Sequence, residues 1–175
     1  MEIAILDNKT LKIKTKKTTF IIDPTSTTPK TPADGVIFLK RNSNNLSKIT
    51  DYRLVIDGPG EFELGGVKIS GIKLEDKIAY SMFADGMETV VGEVSALNKL
   101  SDKFQEKSVA ILSFDEDLGE AVITTIEPKI VVMYGEKVEE GVKSLSKDKE
   151  SVEKTKKVNV SEGKLPEEMQ VLILQ

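Results

Sequence analysis

The segment 54–72, which reads LVIDGPGEFELGGVKISGI, constrains the fold more than any other part of the chain. Its sequence Asp57-Gly58-Pro59-Gly60 predicts a turn, because glycine accommodates a positive φ and proline fixes φ and lacks an N–H donor. Phe62 and Leu64 alternate with glutamates, a period typical of a half-buried strand. The Gly65-Gly66 pair predicts a tight hairpin into the next apolar run. The segment therefore predicts three short strands.

Short apolar runs predict further strands along the chain. These runs are 3–5, 11–13, 20–22, 36–39, 77–82, 89–91, 109–112, 130–133 and 171–174. Apolar spacing predicts helices over 46–52, 95–107, 118–126 and 137–149, and the polar stretch 25–34, with two prolines, predicts a surface loop. Strands dominate the first half, and helices alternate with strands afterwards. The sequence thus predicts a single α/β (α+β) domain over residues 1–175.

Histidine and cysteine are both missing from the chain, and both absences limit its chemistry. The sequence has no histidine, so it lacks the commonest zinc ligand and the commonest general base at neutral pH. It also has no cysteine, which removes disulfides, thiolate metal sites and cysteine nucleophiles.

The charge balance gives expectations about location and partners. There are 25 basic and 29 acidic residues, for a net charge of −4, whereas a nucleic-acid-binding domain usually has a basic surface. No apolar run approaches the length of a membrane span, and the first residues lack the pattern of a signal peptide. The sequence therefore predicts a cytoplasmic protein that binds neither nucleic acid nor membrane.

Four motifs together resemble a known family. The central DGPGEFELGGVKISGI, preceded by IIDP at 21–24 and followed by IEPKIV at 126–131 and LPEE at 165–168, is similar to small metallo-β-lactamase-fold hydrolases of the UlaG-like, zinc-dependent branch. The motifs come in the family's order and cover nearly the whole chain. The resemblance implies a four-layer αββα sandwich, reduced in size.

The same resemblance locates the positions where metal ligands would lie. The family's H-x-H-x-D-H signature falls on 40–45, so its four ligands correspond to Lys40, Asn42, Asn44 and Asn45. A lysine ammonium has no lone pair to donate, and an asparagine amide is a weak zinc ligand. The resemblance therefore implies a vestigial site, with no metal and no other cofactor.

Two more positions complete this vestigial site. The family's G-D motif, whose carboxylate bridges the metals, corresponds to Gly92-Glu93, and the last histidine falls at Met133, Tyr134 or Gly135. Glu93 keeps a carboxylate, although an exposed acid at the end of a strand is the simpler and preferred explanation of it. We interpret the positive charge of Lys40, opposite Glu93, as an electrostatic replacement for the lost metal.

Two functions remain open from the sequence. The preferred one is a catalytically inactive binding or protein-interaction module, with a protein partner or a small polar or anionic ligand, and with a homodimer as an option. The alternative is a divergent hydrolase of esters, lactones or phosphodiesters that uses an oxygen-ligated metal or a Lys/Glu acid–base pair. Its candidate residues are Lys40, Glu93 and the acids at 115–117, although those acids also suit a solvated loop.

Overall fold

The computed structural model describes residues 1–41, 45–139, 141 and 152–175. The strands are β1 (Glu2–Ile5), β2 (Leu11–Lys14), β3 (Thr19–Ile22), β4 (Thr31–Pro32), β5 (Gly35–Ile37), β6 (Ile49–Thr50), β7 (Leu54–Ile56), β8 (Gly60–Leu64), β9 (Val67–Leu74), β10 (Lys77–Ala84), β11 (Met87–Glu93), β12 (Val109–Ser113), β13 (Ile130–Tyr134), β14 (Glu153–Thr155), β15 (Lys157–Asn159) and β16 (Gln170–Leu174). Helix α1 spans Val94–Leu100 and helix α2 spans Glu120–Ile126, and 3-10 turns lie at Ser101–Lys103 and Glu162–Lys164.

Two large sheets pack face to face. One has six strands in the order β15-β1-β2-β3-β5-β7, and the other has eight in the order β14-β16-β13-β12-β11-β10-β9-β8. The main hydrophobic core lies between them and includes Ile13 and Phe20 from the first sheet and Tyr80, Ile111 and Val132 from the second. Burial of these alternating side chains on the inner faces is the main stabilising term of the sandwich.

Helices α1 and α2 cover the outer face of the eight-stranded sheet. Leu97 of α1 and Val122 of α2 pack with Ala110, Leu112 and Val131 in a second core cluster. Strands β12 and β13 are therefore buried on both faces, as their continuous apolar runs predict.

The central segment folds as the sequence predicts, and it also joins the two sheets. Strand β7 belongs to the six-stranded sheet, whereas β8 and β9 form an antiparallel pair at the edge of the eight-stranded sheet. The turn at 57–59 therefore carries the chain from one sheet to the other. Gly65 and Gly66 have φ values of 59° and 83°, which glycine adopts at little cost.

The predicted helix over 46–52 is wrong, and the predicted loop over 25–34 contains a strand. Strand β6 pairs with β4 in parallel, and the N–H groups of Thr31 and Ala33 donate to the carbonyls of Lys48 and Thr50, each at 3.0 Å. Among the described residues, this small sheet and its loops cover the outer face of the six-stranded sheet, and Ile49 packs there in a third core cluster.

The other predicted helices differ from the structure at their ends. The helix predicted over 95–107 stops at Leu100 and continues only as a 3-10 turn, and Glu106 then has a φ of 56°. A residue in the left-handed region cannot continue an α-helix. Helix α2 begins at 120 instead of 118. Most of the helix predicted over 137–149 lies outside the described residues. In the part of the chain that is described, no helix is long and apolar enough to cross a membrane.

Gly71 gives a test of how tightly the sheets pack. A Cβ atom at this position would lie 2.6 Å from the Tyr80 ring and 3.1 Å from the carbonyl oxygen of Gly58. Because Tyr80 is fully buried, we expect Gly71→Ala to lower the free energy of unfolding by about 1–3 kcal/mol. Urea denaturation followed by circular dichroism measures this change.

Gly58→Ala is the matched control, because a Cβ at Gly58 would meet no atom within 4 Å. Equal stability of the two variants would contradict the close packing at Gly71.

Candidate functional site

A cavity of about 530 Å³ opens where strands from both sheets end. Its walls include residues that directly follow β3, β11, β12 and β13 or end them: Asp23, Pro24, Thr25, Ser26, Glu93, Ser113, Phe114, Asp115 and Gly135. The carboxyl ends of parallel strands are where open α/β sheets commonly bind ligands. The topology therefore makes this cavity the candidate functional site.

Three of the six residues of the predicted vestigial site line this cavity. Lys40, Asn45 and Glu93 line it, and Tyr134 is the buried residue next to the lining Gly135. Asn42 and Asn44 lie outside the described residues. Sequence reasoning did not assign Asp23 or Lys77 to the site, although the IIDP motif drew attention to the segment that contains Asp23.

The cation that faces Glu93 is Lys77, at the start of β10. Its Nζ lies 2.5 Å from Asp115 Oδ2 and 3.2 Å from Glu93 Oε2. The three side chains are 19–27% exposed, so the group is half-buried. The prediction that Lys40 lies opposite Glu93 is wrong, because Lys40 Nζ pairs with Asp76 Oδ2 at 3.1 Å and both are about half exposed. Residues 40 and 77 form an isolated antiparallel bridge, so the two lysines are neighbours that reach different carboxylates.

Ser95 fixes the position of Asp115 in this group. The Ser95 N–H donates to Asp115 Oδ1 at 3.0 Å, its hydroxyl donates to Oδ2 at 2.5 Å, and Lys77 Nζ also contacts the hydroxyl. Burial alone would lower the pKa of Lys77, but the interactions with Asp115 and Glu93 outweigh it and raise that pKa. Burial alone would raise the pKa of Asp115, but its bonds with Lys77 and Ser95 lower it. Both groups are therefore charged at neutral pH.

The other acids considered from the sequence differ in their surroundings. Glu93 is only 19% exposed and paired, so it is not an exposed acid at the end of a strand. Of the acids at 115–117, only Asp115 belongs to the group around Lys77; Glu116 and Asp117 are exposed, and Asn98 donates to Glu116 Oε1 at 2.8 Å.

A dinuclear zinc centre does not fit these residues. The chain supplies no imidazole, and in the described part of it no three His, Cys, Asp or Glu residues are arranged to hold a metal ion. The two best-placed carboxylates, Glu93 and Asp115, already share the ammonium of Lys77. An ammonium at this position would repel a metal cation.

Two further polar groups lie deep in the site. Asp23 Oδ1 accepts the N–H of Leu39 at 2.9 Å, and burial, with a smaller contribution from the charge of Glu93, raises the pKa of Asp23 to about 7. Tyr134 is fully buried. Burial, followed by the charge of Asp23, raises the pKa of its hydroxyl well above the ordinary value, and the contact with the Ser113 side chain lowers that pKa by a smaller amount. Ser113 is near enough to pair with this hydroxyl, but the contact lacks the geometry of a regular hydrogen bond.

A network of threonines holds the wall formed by 24–28. Asp7 Oδ2 accepts the hydroxyls of Thr25 at 3.1 Å and Thr28 at 2.9 Å, and its Oδ1 accepts the N–H groups of Lys9 and Thr10. The burial of Asp7 would raise its pKa, but these bonds together lower it. The ionised Asp7 thus ties the loop after β3 to the turn between β1 and β2.

Comparisons with known proteins agree with the topology. No protein-family model matches the chain, and no curated protein matches it. A Thermotoga maritima protein assigned as a Zn-dependent hydrolase of the metallo-β-lactamase superfamily superposes with a TM-score of 0.74 at 20% identity, over 99% of this chain and 98% of that one. The chain has the metallo-β-lactamase fold.

Two other solved structures share this fold at lower identity. The metallo-β-lactamase fold protein YhfI from Bacillus subtilis superposes with a TM-score of 0.61 at 7% identity, over 98% of this chain and 95% of that one. A Parabacteroides distasonis protein assigned as a metal-dependent hydrolase superposes with a TM-score of 0.57 at 14% sequence identity, over 99% of this chain and 93% of that one. The fold that the four sequence motifs imply is thereby confirmed.

Removal of Lys77 tests the position of the buried cation. We expect Lys77→Met to lower the free energy of unfolding by about 2 kcal/mol, because it leaves two half-buried carboxylates without their cation. Lys40→Met is the matched control, and its exposed pair with Asp76 should contribute about 0–1 kcal/mol. Urea denaturation at pH 7 compares them, and a larger loss in the Lys40 variant would contradict this assignment.

The buried carboxyl of Asp23 predicts a pH dependence of stability. Its pKa is about 7 in the folded state and about 3.8 in the unfolded state, so between these values only the folded state holds the proton. This group therefore makes stability fall as the pH rises from about 4 to 7. Asp23→Asn removes the effect and still accepts the Leu39 N–H.

We expect the stability of Asp23→Asn relative to wild type to increase by about 2 kcal/mol between pH 5 and pH 8. Urea denaturation at the two pH values measures the difference. Asp102→Asn, on an exposed 3-10 turn, controls for the change of net charge. A relative stability that is the same at both pH values would show that Asp23 is not a buried acid.

Proposed function

We propose that this chain is a metal-independent binding module built on the metallo-β-lactamase fold, without the dinuclear zinc hydrolysis that the sequence resemblance implies for that fold. The observation that carries the proposal is the ammonium of Lys77, held between Glu93 and Asp115 at the ends of β11 and β12. The resemblance puts the metal-bridging carboxylate at Glu93, so a side-chain cation occupies the place of the metal charge.

The charge states of Lys77 and Asp115 support the proposal that a lysine ammonium takes the position of the metal charge. The raised pKa of Lys77 keeps it protonated, and the lowered pKa of Asp115 keeps its partner ionised. A zinc ion would have to displace an ammonium in a 2.5 Å contact and would then meet oxygen ligands only. Zinc sites in proteins mostly use imidazole and thiolate ligands, which this chain lacks.

The cavity remains available although the metal ligands are lost. Its volume of about 530 Å³ lies within the range of about 300–1,000 Å³ for small-molecule sites. It combines polar groups such as Asp23 and Ser113 with the apolar surfaces of Pro24 and Phe114. These features support a small-molecule ligand in preference to a protein partner or a second copy of the chain.

A divergent hydrolase is the second candidate, and one contact favours it. The Ser95 hydroxyl touches both Lys77 Nζ and Asp115, which is the kind of geometry used by serine nucleophiles with a neighbouring base. A general base, however, needs a pKa near the working pH, whereas the pKa of Lys77 is raised and that of Asp115 is lowered. The Lys40–Glu93 pair considered from the sequence is not formed, because Lys40 pairs with Asp76.

Native mass spectrometry of tag-free protein, purified without chelators and mixed with one equivalent of Zn²⁺, tests the proposal. We expect no specific zinc adduct, and no zinc-dependent turnover of ester, lactone or phosphodiester substrates. Zinc-dependent turnover would contradict the proposal. Metal-free turnover that is lost in both Lys77→Met and Ser95→Ala, but kept in Lys40→Met, would establish the hydrolase instead.

A further inference from the structure

We propose that the exposed edge of strand β8 binds an extended, basic segment of a partner protein, which adds to the eight-stranded sheet as a further strand. This edge is a second surface, separate from the cavity. Phe83 and Glu88 lie beside it, whereas Lys77 and Glu93, at the other ends of the same two strands, lie at the cavity. The inference goes beyond the proposed function, since it concerns a different surface and a different class of ligand.

Strand β8 has a neighbouring strand on one side only. It ends the strand order of the eight-stranded sheet, and among the described residues it pairs with β9 alone. Leu64 and Val67 flank the two-residue loop between these strands, so they form a hydrogen-bonded pair, and such pairs alternate with non-bonded pairs along an antiparallel ladder. The backbone N–H and C=O groups of Glu61 and Glu63 therefore point away from β9. In the described part of the chain no other group bonds to them, so two donors and two acceptors are available to a further strand.

The side chains on the outer face of this edge favour a basic partner. Glu61 and Glu63 are exposed, and neither forms an ion pair within the part of the chain that the structure describes. Lys68 lies opposite Glu63 in the register of β9 without pairing with it, and Glu88 is already paired with Lys107 at 3.1 Å. Side chains on an added strand lie directly opposite those of its neighbour, and opposite charges in such positions stabilise the pairing. Basic residues at alternate positions would therefore pair with both glutamates.

The inner face of the edge favours apolar residues at the positions between the basic ones. Phe62 and Leu64 are only half-buried and pack at the border of the main core. Since successive side chains of a strand point to opposite faces, the alternate side chains of an added strand would cover Phe62 and Leu64 and remove apolar surface from water. The ligand is thus specified as a short run in which lysine or arginine alternates with residues such as valine.

The outer face next to β8 has room for long basic side chains. A groove of about 670 Å³ runs along the part of this face that the helices leave uncovered, with Glu61 and Glu63 at its edge. Phe83 lies in the groove and is 43% exposed. Lysine and arginine can lay their aliphatic stems on such apolar surface while the charged group stays at the rim.

A second copy of this chain is a poor ligand for the same edge. If β8 paired with β8 of another copy, glutamates would lie opposite glutamates on one face of the joined sheet, which destabilises the pairing. Charged residues on an edge strand commonly prevent such self-association. The two glutamates therefore exclude the homodimer through this edge and accept a basic strand.

An NMR titration of the ¹⁵N-labelled protein at pH 7 tests the inference with the peptide acetyl-Thr-Lys-Val-Lys-Val-Lys-Thr-amide. We expect the largest shift changes at 60–64 and slower hydrogen exchange of the Glu61 and Glu63 amides. The peptide should bind at least tenfold more tightly than the same sequence with glutamate in place of each lysine. Proline in place of the first valine keeps the charge but disrupts an extended strand, so it should weaken binding several-fold.

The double variant Glu61→Gln with Glu63→Gln tests the charges on the protein. It should weaken binding of the lysine peptide about three- to tenfold, as expected for the loss of two cross-strand charge pairs. Glu167→Gln with Glu168→Gln is the matched control, because it makes the same change of net charge at two exposed residues outside this edge. The control should bind the peptide as the wild type does.

Several results would overturn the inference. They are a lack of binding at millimolar peptide, equal binding of the lysine and glutamate peptides, and unchanged affinity in the Glu61/Glu63 double variant. Shift changes centred on the cavity residues Asp23 and Ser113 would overturn the location. Amide exchange of Glu61 and Glu63 that slows with protein concentration alone would show that a second copy occupies the edge, and would also overturn it. None of these results depends on zinc binding, so they leave the test of the proposed function separate.

Discussion

The contact between the ammonium of Lys77 and two carboxylates organises the functional end of the sandwich. It joins the start of β10, the end of β11 and the loop after β12, and Ser95 at the start of α1 binds the same Asp115. Four segments that meet at one end of the central strands of the eight-stranded sheet are thus held by one shared cation. Since the ionised acids are half-buried, removal of the cation would cost about 2 kcal/mol of folding free energy. The local backbone arrangement therefore depends on a charge that the protein itself supplies.

Much of the fold could be predicted from the residues, because the spacing of the apolar residues along the chain follows the period of the strand that they form. The apolar runs at 109–112 and 130–133 become strands buried on both faces, and the 54–72 segment becomes three strands. The helix expected over 46–52 failed for a physical reason. Its apolar residue Ile49 is buried by pairing with β4 across a long loop, and no local pattern reveals such a partner.

The candidate site was harder to predict, because its key pair is not local. Motif comparison selected Glu93 and Lys40, which both line the cavity, but it compared only positions where the family has ligands. Lys77 begins an ordinary strand, and its sequence neighbours resemble those of any solvated lysine at the end of a hairpin. Its role is clear only from the structure. Lys40 and Lys77 are neighbours across a β-bridge, and Lys77 pairs with Glu93 whereas Lys40 pairs with Asp76.

A single ammonium does not replace the charge of two divalent ions, and this difference affects the other acidic groups of the cavity. Lys77 compensates Asp115 and part of Glu93, which leaves Asp23 facing a second carboxylate in a buried position. Burial, with a smaller contribution from the charge of Glu93, raises the pKa of Asp23, and a proton bound there removes one negative charge from the cavity. The Tyr134 hydroxyl has no regular hydrogen bond with the described residues, so the hydrogen bonding of this region is incomplete as well as its charge.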